Sequence, residues 1–230
     1  MEGSEEEEAR FERNEFAPDA IENGYRFCSE RRTSIEVHGF RLYPVLASEE
    51  DGLFGATGGE LWEASVLLAQ ALPAVFHGVA MEVGAGLGLP GMTFARRGQR
   101  VLLTDVDRGV VRNLERQIQD NGISHVAKAQ LFDLNDDKLP KNVDLLLAAD
   151  VVYSPHLANR LANIVKIMPA TIILQRKGRP GFDDVFLPAL QNTPGLSFEL
   201  TSCGHDFLLC RTSQDPVLLA ANQFKAHLNI

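Results

Sequence analysis

A run of closely spaced glycines constrains the fold of this chain more than any other feature. It is the segment E-V-G-A-G-L-G-L-P-G at 82–91, and an apolar stretch that predicts a strand over 79–83 leads into it. The residues that follow predict a helix over about 90–97. Glycine allows the backbone to turn sharply and to approach a ligand closely. A glycine loop between a strand and a helix is where α/β folds bind nucleoside cofactors.

The rest of the chain alternates short apolar runs with amphipathic stretches, which predicts a parallel sheet with helices on both faces. The last two apolar runs are separated by a few residues that include Gly204, so they predict an antiparallel hairpin that closes one edge of the sheet. After the strand at 79–83, strands are predicted at 100–104, 127–132, 144–149, 171–174, 196–200 and 206–211, and further helices at 108–120, 156–167, 182–191 and 213–228.

The N-terminal part of the chain divides into an acidic tail and the start of the folded domain. Residues 1–15 are rich in glutamate and lack apolar periodicity, which predicts a disordered, solvated tail. We expect residues 16–230 to form a single domain. Within it, the alternation of apolar and polar residues at about 34–46 predicts a small β-hairpin extension, and Trp62 opens a predicted helix.

Composition limits the classes of function. The net charge is -9 and the pI about 5.2, which argues against nucleic acid as a partner. The sequence contains no run of 18 apolar residues, so it predicts no membrane span. The acidic N-terminus does not resemble a targeting peptide. We therefore expect a cytoplasmic protein, with the nucleus as the alternative location, and we assume a monomer. Three cysteines without a C-x-x-C pair and six scattered histidines give no metal site.

The glycine loop allows two interpretations of its ligand. Gly86, Gly88 and Gly91 match G-x-G-x-x-G, the pattern of dinucleotide sites, and Asp105 follows Gly86 by 19 positions, where a carboxylate can accept ribose hydroxyls. Both features also suit S-adenosylmethionine. Glu82 favours S-adenosylmethionine over a dinucleotide. A carboxylate at the mouth of the loop repels the pyrophosphate of a dinucleotide and attracts the ammonium and the sulfonium of S-adenosylmethionine. Alternatively, Glu82 only accepts hydrogen bonds from backbone amides.

A second motif follows the strand at 144–149. Asp150 ends that strand at the carboxyl edge of the sheet, where open α/β folds bind ligands, and Tyr153 lies three positions further on. With this D-V-V-Y motif the chain resembles family 16 of the class I (seven-strand) S-adenosylmethionine-dependent methyltransferases, known mainly as protein-lysine methyltransferases. The hallmark of that family is an acidic-x-x-Tyr motif after the fourth strand.

The resemblance spans about residues 35–211 and includes a polar exit from the fifth strand at Gln175 and Arg176. It implies a Rossmann-like class I methyltransferase fold with a seven-stranded sheet, S-adenosylmethionine as cofactor and a protein substrate. It also implies that Asp133 is the acidic residue near the adenine. In the family a tryptophan usually comes next in the sequence, whereas in this chain Leu134 does. The cofactor-binding residues that we predict are Trp62, Glu82, Gly84, Gly86, Gly88, Asp105, Asp133 and Ala149.

Asp150 and Tyr153 are the predicted catalytic residues. A lone carboxylate raises the pKa of a neighbouring lysine, so Asp150 suits an orienting acceptor better than a strong base. Tyr153 either contacts the amine, lines its channel, or packs under a helix. Arginine, histidine or a small-molecule amine are alternative acceptors. An NAD-dependent oxidoreductase and a non-catalytic nucleoside-binding module are alternatives of other classes.

Overall fold

The computed structural model describes residues 21–22, 25–28, 34–44, 57–74, 76–135 and 138–215. The first of them form a small antiparallel sheet, which confirms a hairpin within the predicted range 34–46 and adds two strands before it. The sequence signal for these two strands is the dipeptide Asn23-Gly24 between them, a pair typical of tight hairpins. The strands are β1 (Ile21–Glu22), β2 (Tyr25–Cys28), β3 (Ser34–Val37) and β4 (Phe40–Leu42).

Two predicted elements lie wholly or largely outside the described residues. They are the acidic tail at 1–15 and the terminal helix at 213–228, of which only 213–215 are described.

A seven-stranded sheet forms the centre of the fold. The five strands from β5 to β9 are parallel, whereas β11 runs antiparallel to both of its neighbours, as the sequence predicts. Parallel strands are covered on both faces, which is why the strand before Asp150 reads L-L-L-A-A without polar alternation. The strands are β5 (Val79–Val83), β6 (Arg100–Asp105), β7 (Ala127–Leu131), β8 (Leu145–Ala149), β9 (Ala170–Arg176), β10 (Ser197–Cys203) and β11 (Phe207–Ser213), in the spatial order β10-β11-β9-β8-β5-β6-β7.

Helices pack on both faces of this sheet, and each face has its own cluster of buried apolar side chains. Side-chain caps mark where two of them begin: Asp107 accepts hydrogen bonds from the amides of Gly109 and Val110, and Ser154 accepts one from Leu157. The helices are α1 (Glu63–Ala71), α2 (Leu89–Arg96), α3 (Arg108–Asp120), α4 (Pro155–Val165) and α5 (Leu187–Gln191). None of the helices in the described ranges is long and apolar enough to cross a membrane.

One predicted helix differs from the structure. The sequence predicts a single helix over 182–191, but residues Phe182–Phe186 form a π-helical turn that continues into the short α5. The amide of Phe186 donates to the carbonyl of Gly181, 2.8 Å away, five residues back. Pro188 has no amide with which to continue regular α-helical hydrogen bonding, so the regular helix is confined to one short segment.

The small N-terminal sheet is hydrogen-bonded to α3, a helix that also contacts the glycine loop. Asn121 hydrogen-bonds both the amide and the carbonyl of Arg41, at 2.9 and 2.8 Å. The buried Gln117 accepts from the amide of Tyr43 at 2.8 Å and donates to the carbonyl of Leu87 at 3.2 Å. Because Leu87 belongs to the glycine loop, the extension is connected to that loop through one side chain of α3.

The sheet order creates a crevice at one place. From β5 the chain builds outward to β6 and β7, and it then returns to place β8 on the other side of β5. The connections after β5 and β8 therefore leave the sheet in opposite directions, and ligands of open α/β folds bind at such a point. The glycine loop follows β5 and Asp150 follows β8, so both motifs meet at this crevice.

Candidate active site

A cavity of about 490 Å³ lies at the carboxyl ends of β5, β6 and β8. Eight of the ten predicted site residues line it, and the other two, Glu82 and Gly88, do not. The eight are Trp62, Gly84, Gly86, Asp105, Asp133, Ala149, Asp150 and Tyr153.

The glycine loop forms one wall of the cavity. Gly86 has a φ of 53°, a backbone conformation that residues with a Cβ adopt at a cost. A Cβ there would lie 3.2 Å from the carbonyl oxygen of Gly58, in the turn that precedes α1. The loop therefore needs glycine at this position both for its conformation and for its close contact with the neighbouring turn.

Asp105 ends β6 beside the loop. Its Oδ2 accepts a hydrogen bond from the amide of Gly86 and its Oδ1 accepts one from the amide of Asp107, both at 3.1 Å. Burial raises the pKa of Asp105, although these amides act in the opposite direction. A carboxylate oxygen accepts more than one hydrogen bond, so Asp105 keeps capacity for the hydroxyl groups of a ligand.

Glu82 lies behind the loop, not at its mouth. Its side chain is buried, with 1% exposed, and its Oε2 accepts from the amide of Gly91 at 2.8 Å, at the start of α2. Burial raises the pKa of Glu82 to about 8, so the group is largely uncharged at pH 7. The geometry thus matches the alternative in which Glu82 bonds backbone amides, and the charge argument made for Glu82 does not apply at the cavity surface.

Asp150 is held by its backbone conformation and by several hydrogen bonds. Its φ is 53°, and its amide donates to the carbonyl of Leu174 at 2.8 Å, which continues the sheet by one bond. Its Oδ1 accepts from Nε2 of the buried Gln175 at 2.6 Å. Gln175 also exchanges two hydrogen bonds with the backbone of Val152, both at 2.9 Å. Gln175 therefore fixes the segment that connects β8 to α4.

Arg179 is a cavity residue that the sequence interpretation missed. Its guanidinium pairs with Asp150, with Nη2 2.6 Å from Oδ2 and Nε 3.3 Å from Oδ1. The pairing with Asp150 raises the pKa of Arg179 further, so the guanidinium is fully charged. The available sequence signal was the basic run R-K-G-R, which begins at the last residue of β9. Of the two residues predicted at that strand exit, Gln175 reaches Asp150, whereas the side chain of Arg176 pairs with Glu63 at 3.6 Å.

Tyr153 and Trp62 are the exposed aromatic residues of the cavity wall. The side chain of Tyr153 is 61% exposed just before α4, and that of Trp62 is 37% exposed just before α1. Tyr153 is therefore not packed under a helix, which removes one of the three roles that the sequence allowed. Both rings remain accessible to ligands on the open side of the cavity.

The part of the cavity wall beyond β6 and β7 is more apolar than the part near Asp105 and Asp150. Phe132, Leu134 and Leu157 line it together with Asp133, whose Oδ1 accepts from the amide of Asn135 at 2.8 Å. Leu134 occupies the position where the resemblance leads one to expect tryptophan, and Nε of Arg160 donates to its carbonyl at 2.7 Å. The wall at this end is therefore aliphatic beside one phenylalanine.

The charged groups of the cavity give it a negative balance. Four carboxylates line it, and among the described lining residues only Arg179 is cationic. Such a cavity attracts cationic ligands and repels phosphate groups. In the described part of the chain, His, Cys, Asp and Glu side chains form no cluster of three or more that could hold a metal ion. The four carboxylates are Glu60, Asp105, Asp133 and Asp150.

Comparison with known proteins agrees with this geometry. The model of a lysine methyltransferase family matches residues 43–193, a range that contains every described residue of the cavity wall. EEF1A lysine methyltransferase 3 of Xenopus tropicalis is 25% identical over 139 residues, which are 57% of this chain and 56% of that protein. The chain thus spans about half the length of this relative.

Two solved structures share the fold. The TehB-like SAM-dependent methyltransferase of Corynebacterium glutamicum has a TM-score of 0.52 and 22% identity, over 71% of this chain and 93% of that chain. TYW2 of P. horikoshii in complex with MeSAdo has a TM-score of 0.55 and 16% identity, over 82% of this chain and 74% of that chain. At these identities the likeness concerns the fold, which is that of class I methyltransferases.

Proposed function

Because the chain belongs to the lysine methyltransferase family, we propose that it transfers a methyl group from S-adenosylmethionine to a lysine side chain of a protein. The observation that carries this proposal is the carboxylate-rich cavity at the sheet crevice, bounded by the glycine loop on one side and by Asp150 and Tyr153 on the other. A donor and an acceptor that are both cationic match a cavity of this charge.

The donor half of the cavity fits S-adenosylmethionine in shape and in charge. The volume of about 490 Å³ falls in the range of about 300–1,000 Å³ that is common for cofactor and drug-sized ligands. Asp105 accepts ribose hydroxyls at the end of β6, and the turn at Gly86 leaves room for the nucleoside. The same carboxylates disfavour a dinucleotide, whose pyrophosphate would carry negative charge into the cavity.

The apolar part of the cavity wall suits the adenine end of the donor. Phe132, Leu134 and Leu157 offer apolar contact to the adenine, with Asp133 at the edge as a polar partner. Trp62, just before α1, is a further aromatic residue of the cavity wall. In this arrangement the adenine packs against aliphatic and phenylalanine side chains where the family usually supplies tryptophan.

The acceptor half of the cavity contains Asp150, Tyr153 and Arg179. S-adenosylmethionine supplies an electrophilic methyl group, whose carbon–sulfur bond breaks as the lysine nitrogen lone pair forms the new carbon–nitrogen bond, leaving S-adenosylhomocysteine. Asp150 and the hydroxyl of Tyr153 orient the amine, and the ring of Tyr153 contacts the lysine side chain. Orientation of this kind is a large part of the rate gain in a two-substrate reaction.

The amine must lose a proton before it can react. A lysine with a pKa near 10.4 is protonated at pH 7, and forming the neutral amine costs about 4.6 kcal/mol at roughly 1.36 kcal/mol for each pH unit. Displacement of water when the donor and the acceptor fill the cavity reduces this cost, and so does the positive charge of the donor. The proton leaves to solvent on the open side, where Tyr153 is exposed.

The first candidate substrate is EEF1A, after the name of the Xenopus relative. The test is to incubate the purified protein with S-adenosylmethionine labelled in the methyl group, using EEF1A in one reaction and cell extract in another. The proposal predicts label in protein, and loss of the label with Asp105→Ala or Asp150→Asn. If neither the proteins nor the small molecules of the extract are labelled while the donor binds, the non-catalytic nucleoside-binding module is the better account.

A further inference from the structure

The segment that carries Arg179 into the cavity packs against the start of α4. Gly178 and Gly181 on either side of Arg179 have φ values of 72° and 88°. A Cβ on Gly181 would lie 2.7 Å from the backbone of Pro155, so this segment packs directly against the start of α4. Behind it, Phe182 and Phe186 are fully buried and stack with their ring centroids 5.6 Å apart.

The carboxylate of the ion pair between Asp150 and Arg179 is shielded from solvent, whereas the guanidinium is partly exposed. The side chain of Asp150 is 6% exposed and that of Arg179 is 34% exposed, and both oxygens of the carboxylate contact the guanidinium. Two-point pairing of this kind fixes the geometry better than an exposed contact between single atoms. Asp150 therefore faces the cavity as one half of a neutral pair.

Other charged groups near Asp150 are directed elsewhere. The backbone amide of Arg176 on β9 donates a hydrogen bond to Asp150 at 3.3 Å. The guanidinium of Arg176 pairs with Glu63 on α1. Asp183 in the π-helical turn accepts from the amide of Gly178 at 3.1 Å. On the side of α4, Tyr153 lines the cavity, and the remaining lining carboxylates are Glu60, Asp105 and Asp133. In the described part of the chain, Arg179 is the one cationic side chain that pairs with Asp150.

This pairing changes what Asp150 does to an acceptor amine. A lone carboxylate stabilises a nearby ammonium and so holds the proton that must be lost before methyl transfer. We propose that Arg179 is a positioning residue that cancels the charge of Asp150, so that the acceptor amine meets an oriented oxygen without a net anion. The inference rests on the proposed function, since it concerns the acceptor side of the same cavity. The released proton passes to water.

Sinefungin provides a probe that does not require the substrate protein. This analogue of S-adenosylmethionine has a carbon that bears an amine in place of the sulfur that bears the methyl group, so its ammonium reports the charge at the transfer position. S-adenosylhomocysteine has no such group and serves as the reference ligand. The measurement is the calorimetric affinity of both compounds for the wild-type protein, Arg179→Gln, Arg179→Lys and Arg179→Gln combined with Asp150→Asn.

We expect Arg179→Gln, which lacks the cation, to gain affinity for sinefungin but not for S-adenosylhomocysteine. Arg179→Gln leaves Asp150 without a counter-charge, so it should bind sinefungin on the order of tenfold more tightly than the wild type, as expected for one unit charge at close range. Its affinity for S-adenosylhomocysteine should stay within about twofold. Arg179→Lys should keep the wild-type ratio of the two affinities. The gain should disappear in the combined variant, because the anion is absent there.

Two results would overturn the inference. One is an unchanged or weaker sinefungin affinity in Arg179→Gln with normal S-adenosylhomocysteine binding, which would mean that Asp150 does not act on the transfer position. The other is an equal loss of both ligands in Arg179→Gln and Arg179→Lys, which would assign Arg179 a purely structural role. Failure of the wild-type protein to bind either compound is a separate result, which would refute the donor site of the proposed function.

Discussion

Replacing Asp105 with alanine should abolish tight binding of S-adenosylhomocysteine and leave the protein folded. In the proposed complex the carboxylate accepts two ribose hydroxyls, and a hydrogen bond to a charged group contributes about 1.5–3 kcal/mol. Losing both gives about 3–6 kcal/mol, which is at least a hundredfold in affinity at about 1.4 kcal/mol for each factor of ten. The free protein loses acceptors for two amides but no longer buries a carboxylate, so its stability should change by on the order of 1 kcal/mol.

The binding assay uses the tryptophan of the chain itself. Trp62 is the only tryptophan in the sequence and it lines the cavity, so its fluorescence should report ligand binding directly. Asp107→Ala is the matched control, because Asp107 is an acidic residue two positions away that caps α3 and is not part of the cavity wall. The control should lose about 1 kcal/mol of stability and keep its affinity within about twofold.

Two outcomes would refute this reasoning. If folded Asp105→Ala binds S-adenosylhomocysteine within about threefold of the wild type, Asp105 does not hold the ribose. If Asp107→Ala loses as much affinity as Asp105→Ala, the effect comes from the start of α3 and not from a contact with the ligand.

Three further predictions concern the support of the site. Burial raises the pKa of Glu82 from about 4.5 to about 8, so folding favours its protonated form and the free energy of unfolding falls as the pH rises through that window. Glu82→Gln should therefore match the wild type near pH 4.5 and exceed it by about 3–5 kcal/mol above pH 8, as urea titrations at several pH values would show. Gln175→Ala should lower the free energy of unfolding by about 2–3 kcal/mol and slow methyl transfer at least tenfold, because Asp150 and Val152 lose their shared partner. Tyr153→Phe should slow methyl transfer on the order of tenfold in steady-state assays and leave urea stability unchanged, because the lost hydroxyl belongs to an exposed ring.

The sequence predicts which residues gather around the cavity because their placement follows from local patterns. An apolar strand, a glycine loop and a carboxylate 19 positions after Gly86 place Asp105 beside the loop in this fold class. The apolar run before Asp150 likewise predicts a strand end at the same edge of the sheet. For this reason eight of the ten predicted site residues line one cavity.

The direction of Glu82 could not be predicted in the same way. In β5 four of the five residues are buried, so no alternation in V-A-M-E-V tells which face the glutamate side chain takes. The structure turns it toward Gly91 at the start of α2, where burial largely removes its charge.

The role of Arg179 could not be predicted from the sequence because the position of its side chain depends on tertiary packing. Two left-handed glycines and the contact of Gly181 with Pro155 bring its guanidinium back to Asp150, 29 residues earlier in the chain. A basic run after a strand is ordinarily a solvated turn, so the residue types alone do not indicate the ion pair.

The most direct test of the central claim is to identify the residue that receives the methyl group. The protein is incubated with EEF1A and with cell extract in the presence of S-adenosylmethionine that carries a deuterated methyl group, and the labelled peptides are sequenced by mass spectrometry. The account predicts deuterated methyl groups on lysine side chains, absent when Asp105→Ala replaces the wild-type protein. Label found only on arginine, histidine or small molecules would contradict it.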